Sequence, residues 1–278
     1  MDIAAKTSDG RILAGASFGP LDGRPVLFVA GAATGRSMRF AEDLLDEAGV
    51  RLLTMDRPGI GKSTVDPQRT LASTAADYRT FAESATGESA IPVVANSQGG
   101  VFGLAAAQAG WVSRLVLVSP ADELAYSAIA AMLPAEATQL AVLAREDPQA
   151  AADVLRTFTA ESMEAMVLNG AHESDRAFYT SPDFHPLYRR SLAEGFANDG
   201  AGYVCDTLIA MRPWELRFAE IPTPVMILFG AHDLGHSPDH GATLTRRIPG
   251  ARREVVPGAG GALLWTHSGE VLKALSQH

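Results

Sequence analysis

The stretch that decides how this chain folds is Ile91-Pro92-Val93-Val94-Ala95-Asn96-Ser97-Gln98-Gly99-Gly100. Its first half is apolar and partly β-branched, and the residues that follow, 101–107, form an apolar, alanine-rich helical pattern. We therefore predict a strand, a tight turn and a helix. Small residues two positions before and after Ser97 suit a turn that strains its central residue and lifts the serine hydroxyl out of the backbone. The plainer interpretation is an ordinary surface serine between a strand and a helix.

Composition indicates an ordinary globular protein. The chain has 278 residues, of which 47% are hydrophobic and 20% charged, enough for one large core with or without an insertion. A formal charge of −9 argues against binding to nucleic acid or to an anionic membrane surface. The first residues lack a targeting pattern, and no window has the length of a membrane helix, so we expect a cytoplasmic protein. The single cysteine, Cys205, excludes an internal disulfide.

Strand patterns alternate with helix patterns along most of the chain, which predicts a mostly parallel sheet of the α/β class, covered by helices on both faces. The predicted strands are 11–18, 26–29, 51–55, 91–95, 115–118, 225–229 and 253–256. The predicted helices are 38–48, 74–86, 99–109, 239–248 and 263–276. Between residues 121 and 217 helical patterns such as 124–132 and 150–166 dominate, which indicates an inserted helical segment.

Ligands of such sheets bind where the parallel strands end, so the loops after the strands carry the functional signals. The loop after the second predicted strand, residues 30–35, is rich in small residues. The next loop ends in Gly61-Lys62-Ser63, like a phosphate loop, but that motif requires glycine where this chain has Asp56. We therefore predict no nucleotide and no other cofactor.

The loop after residues 225–229 places an aspartate, Asp233, beside two histidines, His232 and His236. With His240 these histidines are spaced by four, as in some zinc-binding helices. Gly235 and Pro238 lie between these histidines and interrupt a helix that would align them. Metal binding is therefore the weaker interpretation, against a structural or a catalytic role, and we predict no metal.

Four landmarks in this order resemble those of the α/β-hydrolase family over nearly the whole chain. They are Asp56-Arg57-Pro58-Gly59-Ile60-Gly61-Lys62-Ser63, the turn at Ser97, Gly230-Ala231-His232-Asp233, and Pro257-Gly258-Ala259-Gly260. The resemblance implies an α/β-hydrolase fold with a mostly parallel eight-stranded sheet and a helical cap between strands six and seven. It divides the chain into a core, residues 1–120 and 218–278, and a cap, residues 121–217.

The resemblance also implies a catalytic triad in the chain order serine, acid, histidine. Ser97 matches the nucleophile and Asp233 the acid, with Asp122 after the preceding strand as the alternative acid. The backbone N–H groups of Gln98 and Ala32 match the family's oxyanion hole, the pair of donors that binds a developing negative charge on oxygen.

One departure from the family pattern is serious. Relatives read Gly-x-Gly-His, whereas this chain reads Gly258-Ala259-Gly260-Gly261. The general base is missing from its expected position. His267 is the nearest histidine in sequence, but it falls within the predicted final helix. His236 shares the loop of Asp233 and is the better candidate. A histidine introduced at position 261 is expected to raise esterase activity if the rest of the site is intact.

The predicted cap is rich in methionine and aromatic residues, most of which must pack its own core. The remainder predict an apolar pocket for a hydrophobic small molecule that carries a carbonyl group. The first hypothesis is hydrolysis of an ester, lactone, thioester or amide by Ser97, Asp233 and His236. The second is a non-hydrolytic biosynthetic enzyme of secondary metabolism, such as a lyase, cyclase or isomerase. The third is a catalytically silent binding protein.

Overall fold

The computed structural model describes residues 1–276 of the protein. In this part of the chain the central sheet contains eight strands, as expected for this fold class. The strands are β1 (Asp2–Lys6), β2 (Ile12–Phe18), β3 (Arg24–Val29), β4 (Val50–Met55), β5 (Ile91–Ser97), β6 (Val112–Pro120), β7 (Val225–Gly230) and β8 (Arg252–Val256). Their order is β1-β2-β4-β3-β5-β6-β7-β8. Only the pairs β1–β2 and β2–β4 are antiparallel, so the predicted mostly parallel sheet is confirmed.

Both faces of the sheet are buried, as the nearly continuous apolar strands require. Alternate residues of β3 point to opposite faces: Leu27 and Val29 join one apolar cluster, Val26 and Phe28 the other. The helices outside residues 121–217 cover these faces. They are α1 (Leu71–Thr86), α2 (Gly99–Gln108), α10 (Ala242–Arg247), α11 (Leu263–Thr266) and α12 (Ser268–Ala274).

Residues 121–217 form the helical segment between β6 and β7, which we refer to as the cap segment. Its helices are α3 (Ser127–Ala130), α4 (Ala135–Glu146), α5 (Pro148–Leu155), α6 (Ala160–Gly170), α7 (Glu173–Tyr179), α8 (His185–Gly195) and α9 (Ala201–Met211). All residues of the cap segment are described, and none of them lies in a strand. The division of the chain into two domains stays a prediction.

Three predicted helices differ from the structure. The helix predicted over residues 38–48 is wrong, because only residues 42–44 form a 3₁₀ turn and Ala41 before them has a left-handed φ of 56°. The stretch 150–166 is divided between α5 and α6, since the side chain of Thr159 caps a new helix by accepting from the Ser162 N–H. The predicted final helix is interrupted at His267, whose backbone is not helical.

Two further elements depart from the prediction. Strand β1 was not predicted, because it is a five-residue edge strand with mostly exposed side chains. The helix predicted over residues 124–132 shortens to the single turn of α3.

A buried ionic cluster joins the cap segment to the core. Asp206 of α9 accepts hydrogen bonds from Arg57 Nε at 2.6 Å and from the Arg69 guanidinium, and all three side chains are almost fully buried. A second contact runs from the Ser37 N–H to the Glu194 carboxylate of α8, at 2.9 Å. Because a buried charge is costly without its partner, these contacts strongly favour one position of the cap segment.

Replacing Asp206 with Asn should destabilise the protein by roughly 3–5 kcal/mol, because two buried guanidinium groups would lose the only carboxylate that pairs with them among residues 1–276. Urea unfolding followed by circular dichroism measures the change. The matched control is Asp153→Asn, which removes a carboxylate from an exposed pair with Arg156. Its effect should be much smaller, because exposed ion pairs contribute little. Similar losses in the two variants would contradict the role of the buried cluster.

Candidate active site

Ser97 lies at the turn between β5 and α2, as predicted. Its backbone has a left-handed φ of 51°, which is rare for a residue with a side chain. Gly99 is required here, since a Cβ at that position would lie 2.3 Å from the Val29 carbonyl oxygen. The close packing behind the turn therefore explains why small residues flank Ser97.

His236 lies between Ser97 and Asp233 and hydrogen-bonds to both. Its Nε2 is 3.1 Å from Ser97 Oγ, and its Nδ1 is 2.9 Å from Asp233 Oδ1 and 3.1 Å from Asp233 Oδ2. A carboxylate only accepts hydrogen bonds, so Nδ1 carries the proton and Nε2 is free to accept from the serine hydroxyl. The structure thus brings together three side chains from distant parts of the sequence, since Ser97 and His236 are 139 residues apart.

The loop that carries Asp233 and His236 is held on both sides. Its start is fixed by hydrogen bonds from the Asp233 N–H to the Gly230 carbonyl and from the His232 N–H to the Ala259 carbonyl. Its end is fixed by Asp122, whose N–H donates to the His236 carbonyl and whose carboxylate accepts from Ser237 Oγ at 2.8 Å. Asp122, the alternative acid, therefore holds the loop, whereas Asp233 contacts the imidazole.

Gly261 leaves the space that the His236 ring needs. A Cβ built at Gly261 would lie 3.3 Å from Cε1 of His236, slightly tighter than most carbon contacts, and 3.4 Å from Nδ1, so any larger side chain would meet the ring. A histidine added at position 261 would press on the ring already present, so the expectation that it would raise activity by itself is revised. The other alternative, His267, hydrogen-bonds with its Nδ1 to Thr266 Oγ1 at 2.9 Å.

The electrostatics favour an ionised aspartate beside an imidazole that readily accepts a proton. Burial alone would raise the pKa of Asp233, but the charge and hydrogen bonds of His236 outweigh it and hold this pKa below its ordinary value. Burial alone would lower the pKa of His236, but the Asp233 carboxylate, and further away that of Asp175, raise it above its ordinary value. The Asp233 carboxylate therefore stabilises the protonated form of the His236 imidazole.

Arg57 holds the loop that contains Ala32 through hydrogen bonds to its backbone. Its guanidinium donates to the carbonyl oxygens of Ala30 at 2.8 Å and Gly31 at 2.9 Å, and a Cβ at Gly31 would lie 3.1 Å from the Ser97 Cβ. Ala32 therefore follows directly on a backbone segment that contacts the serine. Among residues 1–276, the N–H groups of Ala32 and Gln98 have no hydrogen-bond acceptor, and Ala32 lines the cavity next to Ser97.

A cavity of about 370 Å³ opens above Ser97, between the cap segment and the strand ends. Its apolar lining comes mainly from α6, α7 and α8: Met163, Met166, Val167, Tyr179 and Tyr188, with Met38 and Trp265 from the core. Other aromatic residues of the cap segment lie away from this cavity, since Phe158 and Phe196 both pack against Tyr203. The sequence analysis missed Asp175 and Trp265, because neither lies in a recognisable motif.

The histidines considered as zinc ligands face different partners. His232 stacks on His172 of the cap segment with ring centroids 4.4 Å apart, whereas His240 lies edge-on to Phe229. Residues 1–276 contain no group of three His, Cys, Asp or Glu side chains arranged to hold a metal ion. None of the helices in this part of the chain has the length and apolar character needed to span a membrane.

Comparison with known proteins agrees with this fold. The family model of the α/β hydrolase fold matches residues 24–268, so the chain belongs to the α/β-hydrolase family. Similar solved structures include a hydrolase from Pseudomonas aeruginosa PA01 (22% identity, TM-score 0.70) and a bromoperoxidase from Bacillus anthracis (19%, 0.74), each aligned over 99% of this chain and 98% of the other. The enol-lactonase from Burkholderia xenovorans LB400 (18%, 0.67) aligns over 98% of both chains. No curated protein matches.

The pKa of His236 should lie above the ordinary histidine value of about 6.5 in an NMR titration of the folded protein. Asp233→Asn should lower it, because the imidazolium loses its negative partner while the burial that disfavours the charged form remains. The signal is assigned by its loss in His236→Ala. An unchanged pKa in Asp233→Asn would contradict the electrostatic coupling of the pair.

Proposed function

We propose that this protein is a serine hydrolase that cleaves an ester, lactone, thioester or amide bond in a largely apolar small molecule. The observation that carries the proposal is the hydrogen-bonded chain from Ser97 Oγ through His236 to Asp233. A serine hydroxyl is a poor nucleophile unless a base accepts its proton, and here a base lies within hydrogen-bonding distance. Its carboxylate partner orients the ring with Nε2 towards the serine.

The proposed reaction begins with attack of Ser97 Oγ on the substrate carbonyl carbon, while His236 Nε2 takes the hydroxyl proton. The N–H groups of Ala32 and Gln98 would donate to the oxyanion of the tetrahedral intermediate. His236 then returns the proton to the leaving group, and the acyl group remains on Ser97. A water molecule, deprotonated by the same imidazole, then attacks the acyl carbon. The bond between this carbon and Ser97 Oγ breaks, His236 returns the proton to Oγ, and the acid product leaves.

This proposal differs from the family pattern only in where the base is attached to the chain. In this protein the acid and the base share one loop, three residues apart, and Gly261 replaces the histidine that relatives carry. The triad is therefore proposed to be rearranged rather than incomplete. A non-hydrolytic enzyme would need only a hydrogen bond donor at Ser97, so the paired base favours the hydrolase hypothesis.

The cavity supports a compact apolar substrate. Its lining is dominated by methionine, valine and aromatic side chains, and its volume of about 370 Å³ suits a small ester or lactone. An esterase from Exiguobacterium antarcticum (19% identity, TM-score 0.68) and the enol-lactonase share the fold. Their identities are low, so they support this substrate class only as similar architectures.

A fluorophosphonate probe should label the purified protein on Ser97, because the paired imidazole makes this hydroxyl nucleophilic. Mass spectrometry of the labelled peptide locates the adduct. Ser97→Ala should abolish labelling, and His236→Ala should slow it by about 10³-fold or more. The matched control His267→Ala removes the histidine nearest in sequence to position 261 and should label normally. Well-folded protein that resists the probe would refute the proposal.

Moving the base to its usual place tests the rearranged triad directly. His236→Ala should remove most p-nitrophenyl ester hydrolysis, and the double variant His236→Ala/Gly261→His should recover part of it, because the space of the lost ring becomes available. Gly261→His alone should reduce kcat, since the new side chain meets His236. Full activity in His236→Ala would show that another group serves as base.

A further inference from the structure

Asp175 is a buried carboxylate that the proposed catalytic chain does not use. It lies on α7 of the cap segment, lines the cavity above Ser97, and is only 3% exposed. Carboxylates this deeply buried are unusual unless they are paired with a cation or hydrogen-bonded. Its surroundings therefore indicate what it does.

One oxygen of Asp175 is fixed by the core. Oδ2 accepts a hydrogen bond from the Gly261 N–H at 2.7 Å, and a Cβ at Gly260 would lie 2.1 Å from the same oxygen. The Gly260-Gly261 pair thus admits the carboxylate as well as the His236 ring. Asp175 is held next to the proposed catalytic base by the residues that make room for that base.

The other oxygen of Asp175 has no hydrogen-bond donor in the described structure, and its charge acts at longer range on His236, whose pKa it raises. No hydrogen bond from residues 1–276 reaches Oδ1, and no lysine, arginine or histidine in this range forms an ion pair with Asp175. The adjacent basic residue, Arg176, turns away and donates to the carbonyl oxygens of Leu168 and Ala171. The charge of Asp175 therefore remains available to a ligand in the cavity.

The cavity as a whole is negative. Its described lining contains two carboxylates, Asp175 and Asp233, and neither lysine nor arginine. Asp233 is bonded to His236, while His172 and His232, the other lining histidines, stack on each other. In a partly dehydrated site, an unpaired carboxylate attracts a cation or an N–H donor and repels an anion.

We propose that Asp175 selects substrates, favouring molecules that carry an ammonium or other hydrogen-bond-donating group over those that carry a carboxylate or phosphate. This inference rests on the proposed function, because it takes the cavity above Ser97 as the substrate site. Asp175 Oδ1 would bind the donor group, while Oδ2 stays on the Gly261 N–H. Apolar lining residues would hold the remainder of the molecule.

Binding to the Ser97→Ala protein tests the selectivity without requiring turnover. Isothermal titration at pH 8 with hexylamine, hexanol and hexanoate compares a cation, a neutral molecule and an anion of one chain length. Hexylamine should bind about tenfold or more tightly than hexanoate. Adding Asp175→Asn, which keeps an acceptor for the Gly261 N–H, should bring the two affinities within about threefold. Asp175→Ser provides a second variant, and thermal melting verifies folding of both.

The matched control is Glu173→Gln, which removes an exposed carboxylate from the same helix and should leave the preference unchanged. Hexanoate binding as tightly as hexylamine, or a preference that survives loss of Asp175, would overturn the inference. Hydrolysis provides an independent comparison: p-nitrophenyl 6-aminohexanoate should exceed mono-p-nitrophenyl adipate in kcat/KM, and Asp175→Asn should remove the difference. Absence of fluorophosphonate labelling at Ser97 would instead refute the hydrolase proposal, whatever the binding preference.

Discussion

The arrangement of the site depends on a single steric constraint: one imidazole ring must fit between Asp233 and Ser97 while attached to the loop that carries the aspartate. His236 meets this requirement because position 261 has no side chain, and a Cβ there would lie 3.3 Å from the ring. The loop is then held from its far end by Asp122, through Ser237 and the His236 carbonyl. A glycine that breaks the family pattern therefore leaves room for the proposed base.

The cap segment is bound to this site through charges rather than through apolar packing alone. Asp206 pairs with Arg57, and Arg57 in turn holds the carbonyl oxygens of Ala30 and Gly31 beneath the proposed oxyanion loop. Asp175 accepts a hydrogen bond from the Gly261 N–H. Both contacts join the cap segment to backbone that lines the cavity. A shift of the cap segment would therefore alter the backbone around the proposed oxyanion loop and the proposed base together.

Much of the fold was predictable because parallel strands are buried on both faces and read as short apolar runs. Five of the seven predicted strands start within one residue of the observed strands β2, β4, β5, β7 and β8, whereas β3 and β6 start two and three residues earlier than predicted. Prediction failed where local pattern and tertiary context differ. β1 is an exposed edge strand, and the apolar residues near Met38 and Phe40 are buried in an irregular segment that reads as a helix. The spacing of apolar residues indicates which side chains are buried, but side chains on an irregular backbone can be buried with the same spacing.

The sequence by itself determined the α/β class, the strained turn at Ser97 and the short list of histidines from which a base must come. Those features depend on residues close together in the chain, whose size and polarity restrict the local backbone. Only the tertiary structure decided that His236 lies 3.1 Å from Ser97, that Asp122 holds the loop, and that Asp175 enters the cavity. These contacts join segments distant in sequence, and their geometry follows from how the sheet, the loops and the cap segment pack.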